Sequence, residues 1–289
     1  MGISASSSLA IHEEKSLDIW LFLTSLFSFY GFSMPLRIVT FNMQNGQPWS
    51  DDLLLSPALD VDGSVAFLSG LNADIICLQE VEQGYDGGMQ IHPPPHHTRL
   101  KELMPDYDSV FSYPCKNDTE LPFGLGLAIF SRTPLTEFRK VDLPASGLEF
   151  EFAGKKRRPS SRLLIEVSTI CAGRRLKILN THLQAFFMIG ASSDDHPQQR
   201  DIVEARLRSI GAEPAILAGD MNSAPGESLV SQFKKAGFST VQNAEPTWRR
   251  MPYVMDHIFY NNPLRFVAQH IEKTSVSDHH AVVVDFDFV

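Results

Sequence analysis

Cysteine is scarce in this chain: Cys77, Cys115 and Cys171 are the three present, and none has a spacing that suits zinc. Reduced thiols are the expectation, and a cytoplasmic setting fits them best. Positive charge is also short. Lys and Arg number 25 against 34 Asp and Glu, for a formal charge of -9 and a pI near 5.5. That balance argues against tight nonspecific binding to nucleic acid, although charge can be concentrated locally. There is no repeat of solenoid period and no low-complexity linker. With 289 residues that are 43% hydrophobic, one large core is within reach.

Long apolar runs are missing too, apart from residues 19–32, which are short for a membrane span and nearer to a signal-peptide core. The flank His12-Glu13-Glu14-Lys15 lacks the positive charge of a secretion signal, and no clear small-residue cleavage site follows. Residues 1–34 therefore form an N-terminal extension, read first as non-native or disordered and second as a signal or anchor. A structural helix ranks third. The second reading would make the protein secreted or membrane-anchored. Residues 35–289 read as a single domain with no stable membrane span, expected to be a monomer.

What the chain does have is an ordered series of polar islands, each set in an apolar, strand-like run. They are Thr40-Phe41-Asn42, Leu78-Gln79-Glu80-Val81, Asn180-Thr181-His182-Leu183, Gly219-Asp220-Met221-Asn222-Ser223, Met255-Asp256-His257-Ile258 and Ser277-Asp278-His279-His280. Buried polar groups without partners are costly, so packing does not explain them and a shared site does. Asp220 and Asn222, like Asn180 and His182, are two apart, and alternate residues of an extended chain point the same way. Polar residues at the carboxyl ends of apolar strands commonly face a ligand crevice.

The chemistry open to these residue types is narrow. Glu80 and Asp278 are hard oxygen donors suited to Mg²⁺ or Mn²⁺. His279 can move protons near neutral pH, with Asp256 fixing its tautomer. Asn42, Asn222 and His182 can donate hydrogen bonds to oxyanions. The set fits metal-assisted, in-line attack of water on a phosphate ester.

With these motifs in this order, residues 35–289 resemble the endonuclease/exonuclease/phosphatase superfamily. That group includes pancreatic-type DNases, abasic-site endonucleases, tyrosyl-DNA phosphodiesterases, neutral sphingomyelinases and inositol polyphosphate 5-phosphatases. The resemblance implies a four-layer α/β sandwich, with two mixed β-sheets packed face to face and helices outside. It implies that Glu80 and Asp278 bind the metal with Asn42 close by, that Asp220 orients or deprotonates water, and that Asn222 holds the phosphate. His279 pairs with Asp256, and His182 contacts the phosphate or protonates the leaving oxygen. Which of Asp220 and His279 takes the proton stays open. Abasic-site enzymes typically carry an acid where this chain has Gln44 and lack the equivalent of His182, so that branch is disfavoured. The implied substrate is a phosphodiester, with nucleic acid ahead of lipid or inositol phosphate. The alternatives are a sphingomyelinase-like or inositol-phosphate phosphatase activity and, behind them, a non-catalytic binding module.

Periodicity predicts helices over residues 64–71, 98–104, 197–210 and 228–236, and strand-rich stretches over 124–179 and 256–288. If the strand ending in His182 finishes at the site, the strand starting at Arg162 begins there. The basic run Lys155, Lys156, Arg157 and Arg158 then lies at the rim as a substrate contact, the alternative being a solvated turn. Asn180 and Trp248 are further substrate-contact candidates, Trp248 having a structural cap as its alternative. His92-Pro93-Pro94-Pro95-His96-His97 reads as a rigid loop in preference to a metal site. Phe186-Phe187-Met188-Ile189 is poised between substrate contact and core packing. Asn45-Gly46 and the sequon Asn117-Asp118-Thr119 read as turns.

Overall fold

The computed structural model describes residues 35–52, 55–82, 90–115, 119–121, 125–242 and 244–289. The N-terminal extension, residues 1–34, and Asn117 and Asp118 of the sequon lie outside the described residues. Leu36–Val289 forms one compact unit.

The chain first lays down strands β1 (Leu36–Asn42), β2 (Ile75–Gln79), β3 (Asp108–Ser112) and β4 (Leu127–Ser131). It continues through β5 (Thr136–Leu143), the short hairpin β6 (Phe150–Phe152) and β7 (Lys155–Arg157), then β8 (Arg162–Cys171) and β9 (Arg174–His182). After β10 (Ala215–Asp220), β11 (Ser239–Thr240) and β12 (Asp256–Tyr260), it closes with β13 (Leu264–Glu272) and β14 (Ala281–Phe288). Two mixed six-stranded sheets result, ordered β13-β14-β1-β2-β4-β3 and β11-β12-β10-β9-β8-β5. Each has a single parallel pair at its centre, β1 with β2 and β10 with β9, and antiparallel neighbours elsewhere.

Period-2 alternation of these strands builds three apolar layers. Ile38, Ile75 and Ile129 of one sheet meet Ile165, Ile178 and Ile258 of the other between the sheets. Val39, Ile76 and Phe130 face outward, against Leu68 and Leu100 of helices α1 (Val61–Gly70) and α2 (Pro95–Leu103). Leu179, Leu217 and Phe259 pack on Val203, Leu207 and Phe233 of α3 (Gln198–Ile210) and α4 (Leu229–Lys235). This is the four-layer sandwich, helices outermost.

The first two helices begin earlier than periodicity predicts, because local acceptors recruit their opening turns. Asp60 caps α1 by accepting from the Gly63 amide at 2.8 Å. Glu82 accepts the amides of His96 and His97 at 2.5 and 3.0 Å at the start of α2. The His-Pro-rich segment is thus the entry to a helix.

His97 has its ring stacked on Phe111, and burial, reinforced by Lys101, pushes its pKa down to about 4 from 6.5. The unfolded chain takes up that proton first as pH falls. The contribution of neutral, buried His97 is therefore complete above about pH 6.5 and is lost toward pH 4, by at most about 1.4 kcal/mol per pH unit. Urea titrations should show the parent losing stability relative to His97→Phe across that window. Parallel pH profiles would contradict this.

Candidate active site

Moving along the inter-sheet layer toward the carboxyl ends of the two parallel pairs, the residues change from apolar to polar. The first polar rung is fully buried. Gln79 donates to Thr40 at 3.0 Å and across to Asn180 at 2.7 Å, while the Asn180 amide donates to the carbonyls of Leu78 and Ala128, both at 2.9 Å. Asn180 is therefore a bolt between the sheets, its amide wholly engaged. The substrate contact expected of it is corrected by this placement, since two-residue parity puts it on the same side as His182 but one rung deeper.

The next rung is the candidate site. Register aligns His182, Asp220 and Asp256 across β9, β10 and β12, and Asn42 ends β1 opposite them. Glu80 lies one residue past β2, where continued strand parity would turn it toward the helices. Its φ of 51° breaks that parity, and the carboxylate accepts from Asn42 Nδ2 at 3.1 Å. The same Nδ2 donates to Asp220 Oδ2 at 3.0 Å. Asn42 thus holds two carboxylates at a fixed spacing, with its nitrogen toward them and its oxygen accepting from the Gln44 amide at 3.0 Å. Arranged this way it is a spacer that stands beside Glu80, one of the two carboxylates expected to hold the metal.

Asp256 Oδ2 sits 2.8 Å from His279 Nδ1, and His279 Nε2 lies 3.8 Å from Asp220 Oδ2. Burial opposes charge on His279, but Asp256, with Asp220 and Asp278 behind it, outweighs burial and raises the pKa to about 10. Burial and then the charge of Asp256 push Asp220 up to about 7, against the pull of His279 and Asn42. His182 goes the other way, driven well below its ordinary value by burial and by Arg162. Arg162 Nη1 is 3.5 Å from His182 Nδ1. Arginine can only donate, so His182 accepts at Nδ1 and carries its proton on Nε2, which is 3.5 Å from Asp220 and 3.9 Å from Glu80.

Arg162 was not among the sequence-based candidates as a site residue. It is buried, its Nε has no hydrogen-bond partner among the described residues, and burial lowers its pKa despite Glu80, Asp220 and Glu120 nearby. Its place as the first residue of a strand starting at the site was the available signal. The basic run upstream belongs to the β6–β7 hairpin, where Lys155 and Lys156 are exposed, Arg157 donates to the Glu120 carbonyl and Arg158 pairs with Glu149 at 3.3 Å.

Asp278 is clamped on one oxygen, Oδ2, by Trp248 Nε1 at 3.2 Å and Arg250 Nε at 2.7 Å, and its amide donates to Gln44 Oε1 at 3.2 Å. Trp248 is nearly buried, between Phe187 and His279. It is the structural cap, which corrects the expectation of substrate stacking. Asn222 has a φ of 45°, so parity with Asp220 is lost there; its amide nitrogen donates to Asp220 Oδ1 at 3.0 Å and its side chain to the Leu183 carbonyl at 3.1 Å.

The donor set suits a hard divalent cation. Among the described residues the Glu80 carboxylate accepts a hydrogen bond only from Asn42, and its pKa is raised by burial and then by the neighbouring charge of Asp278. A divalent cation would relieve both effects. Asp220, Asp256 and His279 also place one potential ligand atom each within 4.8 Å of one another. Within that group Asp256 Oδ2 and His279 Nδ1 are already engaged with each other at 2.8 Å.

Gly219 sets how closely Asp220 approaches. Its φ is 146°, and a Cβ there would lie 1.9 Å from the Thr181 carbonyl oxygen. Gly219→Ala should cost about 3 kcal/mol and lower turnover in the protein that still folds. Unchanged stability and activity together would refute the constraint.

A structure from Beutenbergia cavernae described as an endonuclease/exonuclease/phosphatase is 21% identical, covering 89% of this chain and 72% of that one at a TM-score of 0.67. The human Nocturnin catalytic domain with bound sulfate anion is 21% identical, covering 88% and 95% at 0.62. A mannosyl-6-phosphatase from Bacteroides thetaiotaomicron is 16% identical, covering 88% and 100% at 0.61. No curated protein matches the sequence. The Endonuclease/Exonuclease/phosphatase family model matches residues 39–279, a span that runs from β1 to His279 and takes in every motif of the rung just described. The chain belongs to that family of hydrolytic phosphoesterases.

Proposed function

We propose that this protein hydrolyses a phosphodiester, with nucleic acid the favoured substrate, using one divalent cation and a water activated by Asp220. The observation that carries the reading is the geometry around Asn42, whose Nδ2 holds Glu80 and Asp220 at 3.1 and 3.0 Å while His182 and His279 stand 3.5 and 3.8 Å from Asp220, and the charge pattern agrees with it. There Asp220 titrates near neutral pH beside a cationic His279, a neutral His182 and a buried Arg162.

Bound at Glu80 and Asp278, Mg²⁺ or Mn²⁺ would polarise a phosphate oxygen as a Lewis acid. The chain's own groups divide the remaining work. Asp220, held by Asn42 and the Asn222 amide, accepts the proton of the attacking water. With its pKa raised to about 10, His279 keeps its own proton at neutral pH and serves as a fixed positive charge at the developing oxyanion. His182, with its proton on Nε2, and Arg162 donate to the phosphate. Asp256 orients His279. The support is threefold: the family, the charge pattern, and the description of Nocturnin with a sulfate, an anion of phosphate shape.

A panel of single-stranded DNA, duplex DNA, RNA, sphingomyelin and phosphoinositides, assayed with Mg²⁺ or Mn²⁺ and again with chelator, tests the proposal. Chelator-sensitive cleavage of a nucleic acid is the expected result. Turnover of a lipid or inositol phosphate alone would replace the substrate class, and no turnover of any phosphoester would leave a binding module.

A further inference from the structure

We propose that a pocket beside Asp278, walled by Trp49 and Arg250, receives the nucleobase of the nucleotide next to the scissile phosphate. This rests on the phosphodiesterase reading and names what lies on one side of the bond. The pocket has a volume of about 260 Å³, and Gln44, Gln47, Trp49, Ser50, Ser56 and Arg250 are among its lining residues. Two of them also touch Asp278: Gln44 Oε1 accepts its amide at 3.2 Å and Arg250 Nε donates to Oδ2 at 2.7 Å. The pocket therefore shares a wall with the catalytic rung.

Trp49 is pinned before any ligand arrives. Its amide donates to the Ser275 carbonyl at 2.8 Å, its indole N–H donates to Asp51 at 2.7 Å, and the Arg250 guanidinium lies 5.4 Å over its ring. The ring is only half-buried. Among the described residues neither Nη1 nor Nη2 of the exposed Arg250 has a hydrogen-bond partner. A fixed indole and a guanidinium plane offer stacking, and the free N–H groups, with the Gln44 amide and the Ser56 hydroxyl, offer hydrogen bonds to a ring edge, while Gln47 and Ser50 are engaged within the loop.

Charge and polarity narrow the occupant. Asp51 and Asp52 stand exposed at the same loop and would repel a second phosphate. Pro48, Leu55 and Pro57 add an apolar side to the lining, but an acyl chain would leave the Arg250 guanidinium and the Gln44 amide desolvated without partners. A neutral, planar, hydrogen-bonding group suits both constraints. The near end of the pocket is anchored to the site by the Asn45 amide, which donates to the Glu80 carbonyl at 2.8 Å, and Gln47 ties to Pro57 across the pocket, its side chain donating to that carbonyl at 2.5 Å.

The test compares kcat/KM for a short oligonucleotide, the same backbone carrying abasic residues, and bis(4-nitrophenyl) phosphate, in the parent, Trp49→Leu and Trp49→Phe. The parent should prefer the base-bearing strand by about 10-fold or more. Trp49→Leu should erase that preference while leaving the small diester unchanged, and Trp49→Phe should restore most of it. Equal rates on the base-bearing and abasic strands, or a uniform loss on all three substrates in folded Trp49→Leu, would overturn the pocket assignment alone. No hydrolysis of any of the three by the parent would overturn the phosphodiesterase reading together with it.

Discussion

Asp220→Asn should lower the turnover rate by about 10²- to 10⁴-fold, as should His279→Ala, with smaller effects on KM. The asparagine keeps the size of the carboxylate and, with its one oxygen, either the hydrogen bond from Asn42 or that from Asn222, which go to separate oxygens, but it cannot accept a proton from water. His279→Ala instead removes a cation 3.8 Å from Asp220. Asp256→Asn should cost less than His279→Ala. It leaves the imidazole in place and removes the main cause of its raised pKa, so it weakens the charge without deleting it. Single-turnover rates on a small diester would rank the three variants. Parent-like turnover of Asp220→Asn would remove it as the proton acceptor, and a greater loss in Asp256→Asn than in His279→Ala would give Asp256 a direct role.

Metal removal should abolish activity altogether, and Glu80→Gln should reproduce much of that loss by weakening metal binding. The carboxylate stands just past the end of β2, partly exposed, with its only hydrogen bond among the described residues coming from the Asn42 amide. A glutamine can keep that bond through its oxygen, so folding should survive while the charge that opposes the cation is lost. Titrating Mg²⁺ or Mn²⁺ into chelated protein and following activity would show a rightward shift for the variant. Full activity in excess chelator would defeat the metal requirement, and identical titrations for the two proteins would defeat the assignment of Glu80.

Much of this was legible in the one-dimensional chain because the site uses strand ends. Apolar runs closing on Asn42, His182 and Asp220 announce both the strand and its functional terminus, and alternation places their side chains between the sheets. One outward layer was readable to its ends, as helix periodicity in 197–210 and 228–236 matches α3 and α4 to within a residue at each end, while α1 and α2 of the other begin three residues early. Where the chain leaves regular geometry, parity fails. Glu80 and Asn222 both adopt positive φ, so neither points where an extended strand would send it.

The sequence by itself determined the fold class through the resemblance its motif order carries, since periodicity alone reaches only α/β or α+β, and residue chemistry, a local property, picked out the carboxylates and imidazoles of the centre. Only the tertiary structure decided what each polar group does, because burial and partners come from other strands. It turned Asn180 into a bolt between sheets, Asn42 into a spacer and Trp248 into a clamp on Asp278. It also brought Arg162 against His182 and Arg250 against Asp278, pairs separated by 20 and 28 residues, which no local pattern encodes. The charge state of the centre follows from the same cause. A His beside an Asp is ordinary in sequence, but one held 2.8 Å from a buried carboxylate of another strand stays charged.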